Sequence, residues 1–233
     1  MVVQATLPTR NSSSSKKAIS YQSVYYYLLA MTETPSSDVA FTASVKHQQE
    51  LRGSRALYAR KEDQGGFRTA ITDDLKAFLA ERDSFYLSTA SAAGRPYIQH
   101  RGGPKGFLKS VDDRTLAFAD FAGNRQYITL GNLAENDQAF IFLMDYANQQ
   151  RVKLWGRARV VEAADEPELA ARLSQPGYKA KVERVILFLV EAWDSNCRQH
   201  ILPRYDEQTV ARLAAKLTDR IAELEAEVAR LKA

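Results

Sequence analysis

The chain has a single cysteine, Cys197, among 233 residues. An internal disulfide is therefore excluded, and a cysteine-ligated metal cluster has no ligand set. A reducing compartment, the cytoplasm, fits. Histidine is nearly as scarce: His47, His100 and His200 lie far apart and show none of the spacings of a zinc site. No metal is expected. Long apolar runs are absent too. The patch YYYLLAM at residues 25–31 falls well short of the ~20 residues a bilayer span requires, so no membrane partner is expected.

Acidic residues are missing from residues 1–30, which carry Arg10, Lys16, Lys17 and a serine run. Three readings compete for this stretch: a disordered tail, an organelle-targeting peptide, or translated sequence upstream of a natural start at Met31, where MTETPSSDVAF reads like an ordinary bacterial N-terminus. With only one arginine present, the first and third are favoured, and residues 1–35 are set apart from the fold. Without the 3 basic groups of that stretch, the chain carries 29 basic against 28 acidic residues. A near-neutral body argues against nucleic acid as a partner.

What is there supports a sizeable core, with hydrophobic residues at 45%. HQQELRGSRALYARKED has helical character and is broken by Gly65-Gly66. Thr72 is placed to cap ITDDLKAFLAERD, with Asp73 and Asp74 in the first turn and Leu75, Phe78 and Leu79 on one face. Short strands follow: SFYLSTAS, PYIQHR, GFLKSV, TLAFAD, AFIFLMDY, RVKLWGRARVVEA and ERVILFLVEAWD. A helix is predicted from about Asn124 to Ala134, and a short one around PELAARL. In RVKLWGRARV, Val152, Leu154, Gly156, Ala158 and Val160 alternate with Arg151, Lys153, Trp155, Arg157 and Arg159, so one face is buried and the other basic. Six or so strands with tight turns point to a mainly β (α+β) fold, an antiparallel barrel with flanking helices.

Residues 205–233 keep a seven-residue repeat, with Val210, Leu217, Leu224 and Leu231 at d and Ala214, Ile221 and Val228 at a. β-Branched residues at a with leucine at d favour a parallel two-stranded coiled coil. Arg220 at g would face Glu225 at e of a partner, and Glu227 would face Lys232. The alternative is a helix packed on its own barrel. Three heptads are marginal alone, so a dimeric core is expected to hold two chains together first.

The stretch ADFAGNRQYITLGNL raises a chemical question. An arginine on the first turn of a predicted helix opposes the helix dipole, unless an external anion sits there. Asn124 as the cap would leave free amides at the helix mouth, and Arg125 would add a fixed positive fork, a combination suited to phosphate. Upstream, PYIQHRGGPKGF brings Gln99, His100, Arg101 and Lys105 to the end of a neighbouring strand. Gly102 and Gly103 would allow a close backbone approach. Taken singly, each motif is commonly just a surface helix or a solvated turn.

RPYIQHRGGPKGFLKSVDDRTLAFADFAGNRQYITLGNL, with the later DSNCRQHILPR, resembles the flavin-binding split barrels related to pyridoxamine 5′-phosphate oxidase, and in particular their branch of flavin-nucleotide-binding proteins. The resemblance covers roughly residues 73–204. It implies a six-stranded split β-barrel over 36–204, a homodimer, and FMN in two equivalent clefts between subunits. Carried over position by position, it implies that Gln99, His100 and Arg101 line the isoalloxazine ring and ribityl chain. Ala119 and Asp120 match a tyrosine-threonine pair that touches the flavin. Asn124, Arg125 and Gln126 match a serine-arginine-lysine run on the phosphate. Arg151 falls at a flavin-contacting glutamine, and Trp193 resembles a tryptophan reaching the partner's flavin. Gln126 in place of lysine weakens charge neutralisation. Arg198-Gln199-His200 and Arg204 depart from the family's pyridoxal-phosphate run, which speaks against the vitamin as substrate and leaves FMN in place.

The resemblance implies that FMN supplies the redox chemistry. Arg101, Arg151 or His100 could place positive charge near its N1–C2 carbonyl edge. His200 is the one candidate proton donor or substrate-phosphate ligand, against a structural role as a hydrogen-bonded side chain. Cys197 reads as a small packing residue. The expectation is an FMN-dependent oxidoreductase acting on a small molecule, with a non-catalytic flavin-nucleotide carrier or sensor as the alternative. A third reading, an interaction protein working through the coiled coil, predicts a colourless protein.

Overall fold

The computed structural model describes residues 34–175, 177–196 and 198–232. The expectations for the N-terminal stretch and for Cys197 lie outside the described residues. Two helices open the fold, α1 (Ala43–Leu51) and α2 (Arg55–Asp63). The sequence suggested one helical stretch here. Gly53 divides it, with a left-handed φ of 73° that a side chain rarely adopts. Helix α3 (Asp73–Ala80) starts where predicted, but the Thr72 hydroxyl donates to the Asp74 carboxylate and does not cap the helix. Leu75 and Leu79 of α3 are buried against the sheet.

The sheet has seven strands: β1 (Ser84–Ala90), β2 (Pro96–Gly102), β3 (Lys109–Ser110), β4 (Thr115–Phe121), β5 (Gln138–Asp145), β6 (Gln150–Glu162) and β7 (Val182–Asn196). Their order is β2-β1-β5-β6-β7-β4-β3, every pairing is antiparallel, and β2 and β3 are the edges. Where a six-stranded split barrel was expected, the antiparallel sheet has seven strands and its two edge strands do not pair. Its seventh strand is the two-residue β3. GFLKSV yields so little strand because Phe107 N–H closes a turn onto Pro104 O, and Phe107 and Leu108 then plug the core.

β6 follows the predicted alternation closely, with Val152, Leu154, Gly156 and Ala158 buried and their neighbours outward. Its outer face is less basic than the sequence suggested, since Arg157 pairs with Asp137 and Glu191, and Lys153 lies near Asp194. The register shifts between Trp155 and Gly156. A Cβ at Gly156 would lie 2.0 Å from Leu189 O, so the bulge requires glycine.

Two apolar clusters sit on opposite faces of β4 and β7. Leu116, Phe118, Ile186 and Phe188 face the main core with α3. Ala117, Ala119, Val185 and Leu187 pack under helix α5 (Pro167–Leu173). Helix α4 (Ile128–Glu135) joins β4 to β5, and α6 (Glu207–Lys232) ends the chain with no buried residue.

Candidate functional site

β2 alternates, so Tyr97, Gln99 and Arg101 face one way and Ile98 and His100 the other. β4 alternates as well. Asp120 lies on the face of Phe118, whereas Ala119 lies under α5. The two inward sets meet although β2 and β4 do not pair. Asp120, only 4% exposed, binds Arg101 Nη1 through Oδ1 and Arg184 Nε through Oδ2, the latter at 3.0 Å. Arg184 is brought there by register, being the β7 residue opposite Asp120. Burial works against its charge, but the bonds it donates to Asp120 and Glu183 outweigh this and hold its pKa above the ordinary arginine value.

Between these strands and the start of α4 is a cleft of about 200 Å³, lined among others by Gln99, Arg101, Asp120, Asn124, Arg125 and Gln126. The loop leading into α4 is bent twice: Arg125 has φ 60° and Tyr127 φ 56°. Neither residue relieves that conformation as glycine would. The helix therefore begins at Ile128, later than predicted. Asn124 is not its cap. Asn124 Oδ1 instead accepts from Gln126 N–H at 3.2 Å, bracing the loop. The first helical bond joins Gly131 N–H to Tyr127 O, so the amides of Ile128, Thr129 and Leu130 find no acceptor within α4. All three residues line the cleft. Thr129 Oγ1 donates to Gln99 Oε1 at 3.0 Å and ties the helix to β2.

Charge in the cleft comes from three arginines and two carboxylates. Arg101 and Arg184 are committed to Asp120 and Glu183. Among the described residues Arg125 has no carboxylate partner. Arg101 Nε is buried and has no hydrogen-bond partner.

The remaining predicted site residues lie elsewhere. His100 packs on Tyr86 on the outer face, with ring centroids 5.7 Å apart. Lys105 is exposed on the β2–β3 loop, 3.7 Å from Glu81. The close approach expected at the glycines is made by the protein itself, since a Cβ on Gly103 would meet the Phe107 ring at 2.7 Å. Trp193 is 2% exposed, and its Nε1–H donates to Ala70 O at 2.8 Å. This indole is held within its own chain's core and is not presented outward to a partner. Arg151 is the second residue of β6, eleven residues before Glu162, the residue opposite Arg184. That separation is roughly 36 Å along a strand. Arg204 stacks on Tyr146 at 4.6 Å, beside the β5–β6 turn, and His200 is exposed with φ 62°. Tyr97, Tyr127 and Arg184 line the cleft without having been singled out from the sequence. The alternation of β2 could have found Tyr97, two residues before Gln99.

The family model of pyridoxamine 5′-phosphate oxidase matches residues 71–197, more than half of the chain. The chain belongs to that family. The matched segment of this family member holds all of the cleft, from Tyr97 to Arg184. None of the curated proteins matches the chain. Among solved structures, HupZ of Group A Streptococcus is 20% identical with a TM-score of 0.44, covering 58% of this chain and 99% of its own. An FMN-binding protein of Syntrophomonas wolfei is 17% identical with a TM-score of 0.43, covering 64% and 97%. General Stress Protein 26 of Bacillus anthracis is 12% identical with a TM-score of 0.36, covering 52% and 89%. Among the described residues no group of three or more His, Cys, Asp or Glu could hold a metal ion. Nor, among them, is any helix long and apolar enough to cross a membrane.

Proposed function

We propose that the cleft binds the phosphate end of FMN, and that the chain works as a homodimeric FMN-dependent oxidoreductase on a small molecule. One observation carries this reading: the unpaired Arg125 guanidinium stands on the same loop and cleft wall as three amides that lack an acceptor in their helix. Such a combination favours an anion. The residues fit the group. Arg125 and the α4 amides would bind the phosphate, the Asn124 turn would hold the loop, and Gln126 adds polarity without charge. Gln99 and Arg101 would position the rest of the molecule, with the partnerless Arg101 Nε as a spare donor. Bound FMN would supply the electron transfer.

Size supports a second subunit. A cleft of about 200 Å³ is below the roughly 300–1,000 Å³ typical of ligand sites, so further walls are needed. Arg151, His200 and Arg204, far from this chain's cleft, are the groups a partner would contribute. An outward apolar surface crosses β2, β1 and β5 through Ile98, Tyr86 and the half-exposed Phe140 and Phe142, and offers an area for association.

A second reading, a non-catalytic flavin-nucleotide carrier, is favoured by the absence of histidine and cysteine from the cleft lining among the described residues. Oxidation of a nicotinamide cofactor or consumption of oxygen by the FMN-loaded protein separates the two, because a carrier shows neither. For the binding site itself, Arg125→Ala should weaken FMN at least tenfold in a fluorescence titration, since it removes a charge-assisted contact worth ~1.5–3 kcal/mol. An unchanged dissociation constant would remove the phosphate from this loop.

A further inference from the structure

We propose that α6 pairs with the α6 of a second copy of this chain in a parallel two-stranded coiled coil. The helix runs for 26 residues with none buried, a length of about 39 Å. Its apolar stripe is left open: Ile221 and Val228 are 56% and 47% exposed, and Leu217, Leu224 and Leu231 are 66%, 43% and 76% exposed. Packing on its own sheet, the alternative the sequence left open, is not what covers this face. Most helical stability in proteins comes from packing an amphipathic face, so the stripe requires an occupant.

The charges beside the stripe identify that occupant. In a parallel pair each g residue faces the e residue five positions on in the partner. Arg220 then meets Glu225 and Glu227 meets Lys232, and two-fold symmetry doubles both attractions. Within one helix Arg220 reaches only Glu223, at 2.7 Å, and both side chains are more than half exposed, so it is free to exchange partners. An antiparallel pair that set Arg220 against Glu227 would bring Glu225 onto its own symmetry mate, a like-charge contact. The core residues agree with the parallel choice, because β-branched side chains at a and leucine at d select two parallel strands. Self-complementarity of this kind fits a second copy better than an unrelated helix.

The test uses the full chain carrying Cys197→Ser, with one new cysteine either at d (Leu217→Cys) or on the outer f position (Ala226→Cys). Mild oxidation should yield the disulfide-linked dimer at least tenfold faster from Leu217→Cys. Arg220→Glu added to that chain should slow the reaction at least threefold, and Glu225→Arg added to both should restore it. Equal rates at the two cysteines would overturn the pairing. A triple variant no faster than the Arg220→Glu chain would overturn the parallel orientation. In the otherwise native chain, Ile221→Lys should remove most of the helical ellipticity that α6 contributes, and an unchanged spectrum would also count against the coil. FMN titration of the same proteins reports on the flavin site separately, so failure of one reading is distinguishable from failure of the other.

Discussion

Asp120 holds two arginines at once from a position almost sealed from solvent, and the shape of the cleft depends on it. Its removal leaves Arg101, with its side chain 14% exposed, without a counter-charge, and leaves Arg184, 13% exposed, with Glu183 alone. Stripping one partner from such a buried group costs about 3–5 kcal/mol. Asp120→Ala should therefore lower the urea midpoint by the equivalent amount, with an unchanged m-value. Asp145 acts at the β5–β6 turn, where Asn148 donates to it from both backbone and side chain at 2.9 Å and Arg82 lies 2.9 Å away. Burial alone would raise its pKa, but the Asn148 bonds and Arg82 outweigh this and hold it below the usual value. A depressed carboxylate contributes stability above its unfolded pKa, about 3.9, and loses it as pH falls through the folded value. The stability gap between the native chain and Asp145→Asn should be widest at neutral pH and close below about pH 4. A gap that widened with acid would contradict the arrangement. At this scale the candidate site was half legible. Gln99, Arg101, Asp120, Asn124, Arg125 and Gln126 do share one cleft. His100 and Ala119 do not, because a strand turns successive side chains to opposite faces, a rule readable in PYIQHR and TLAFAD but overridden when adjacent residues were grouped.

Elements were legible where one face is apolar and the other polar. β6 alternates over nine residues and its pattern was read correctly, bulge glycine included among the buried positions. Gly156→Ala should expose how tight that bulge is. Its methyl would press on Leu189 O and the Phe188 ring, and a loss of about 1–3 kcal/mol is expected in denaturant unfolding. A neutral result would mean that the strand shifts to accommodate it. The start of α4 was misread by four residues because Arg125 and Tyr127 take left-handed conformations that their side chains do not advertise. Arg184 escaped notice for a different reason. Its meeting with Asp120 spans 64 residues of chain and is set by β4–β7 register, which no local pattern encodes. GFLKSV has the composition of a longer strand than the two-residue β3 it forms, since the apolar Phe107 and Leu108 enter the core from a turn.

For the whole molecule, the β1–β2, β3–β4 and β5–β6 hairpins follow from tight turns, while the β1–β5 and β4–β7 pairings, and with them the edges at β2 and β3, depend on contacts between distant segments. Helix α6 buries none of its described residues. Deleting residues 206–233 should leave tryptophan emission unchanged, because Trp155 and Trp193 pack against residues the deletion spares. The truncated protein should also remain dimeric and keep its affinity for FMN. A monomeric product would show that the coil, and not the outward face of β1, β2 and β5, holds the subunits together.

The account stands on an anion being held where the Asn124–Tyr127 loop enters α4. Comparing FMN with riboflavin, which lacks only the phosphate, in the native chain and in Arg125→Ala tests this most directly. Native protein should prefer FMN strongly, and the substitution should shrink that preference at least tenfold while leaving riboflavin affinity nearly unchanged. Equal preference in the two proteins would place the phosphate elsewhere and contradict the site described above.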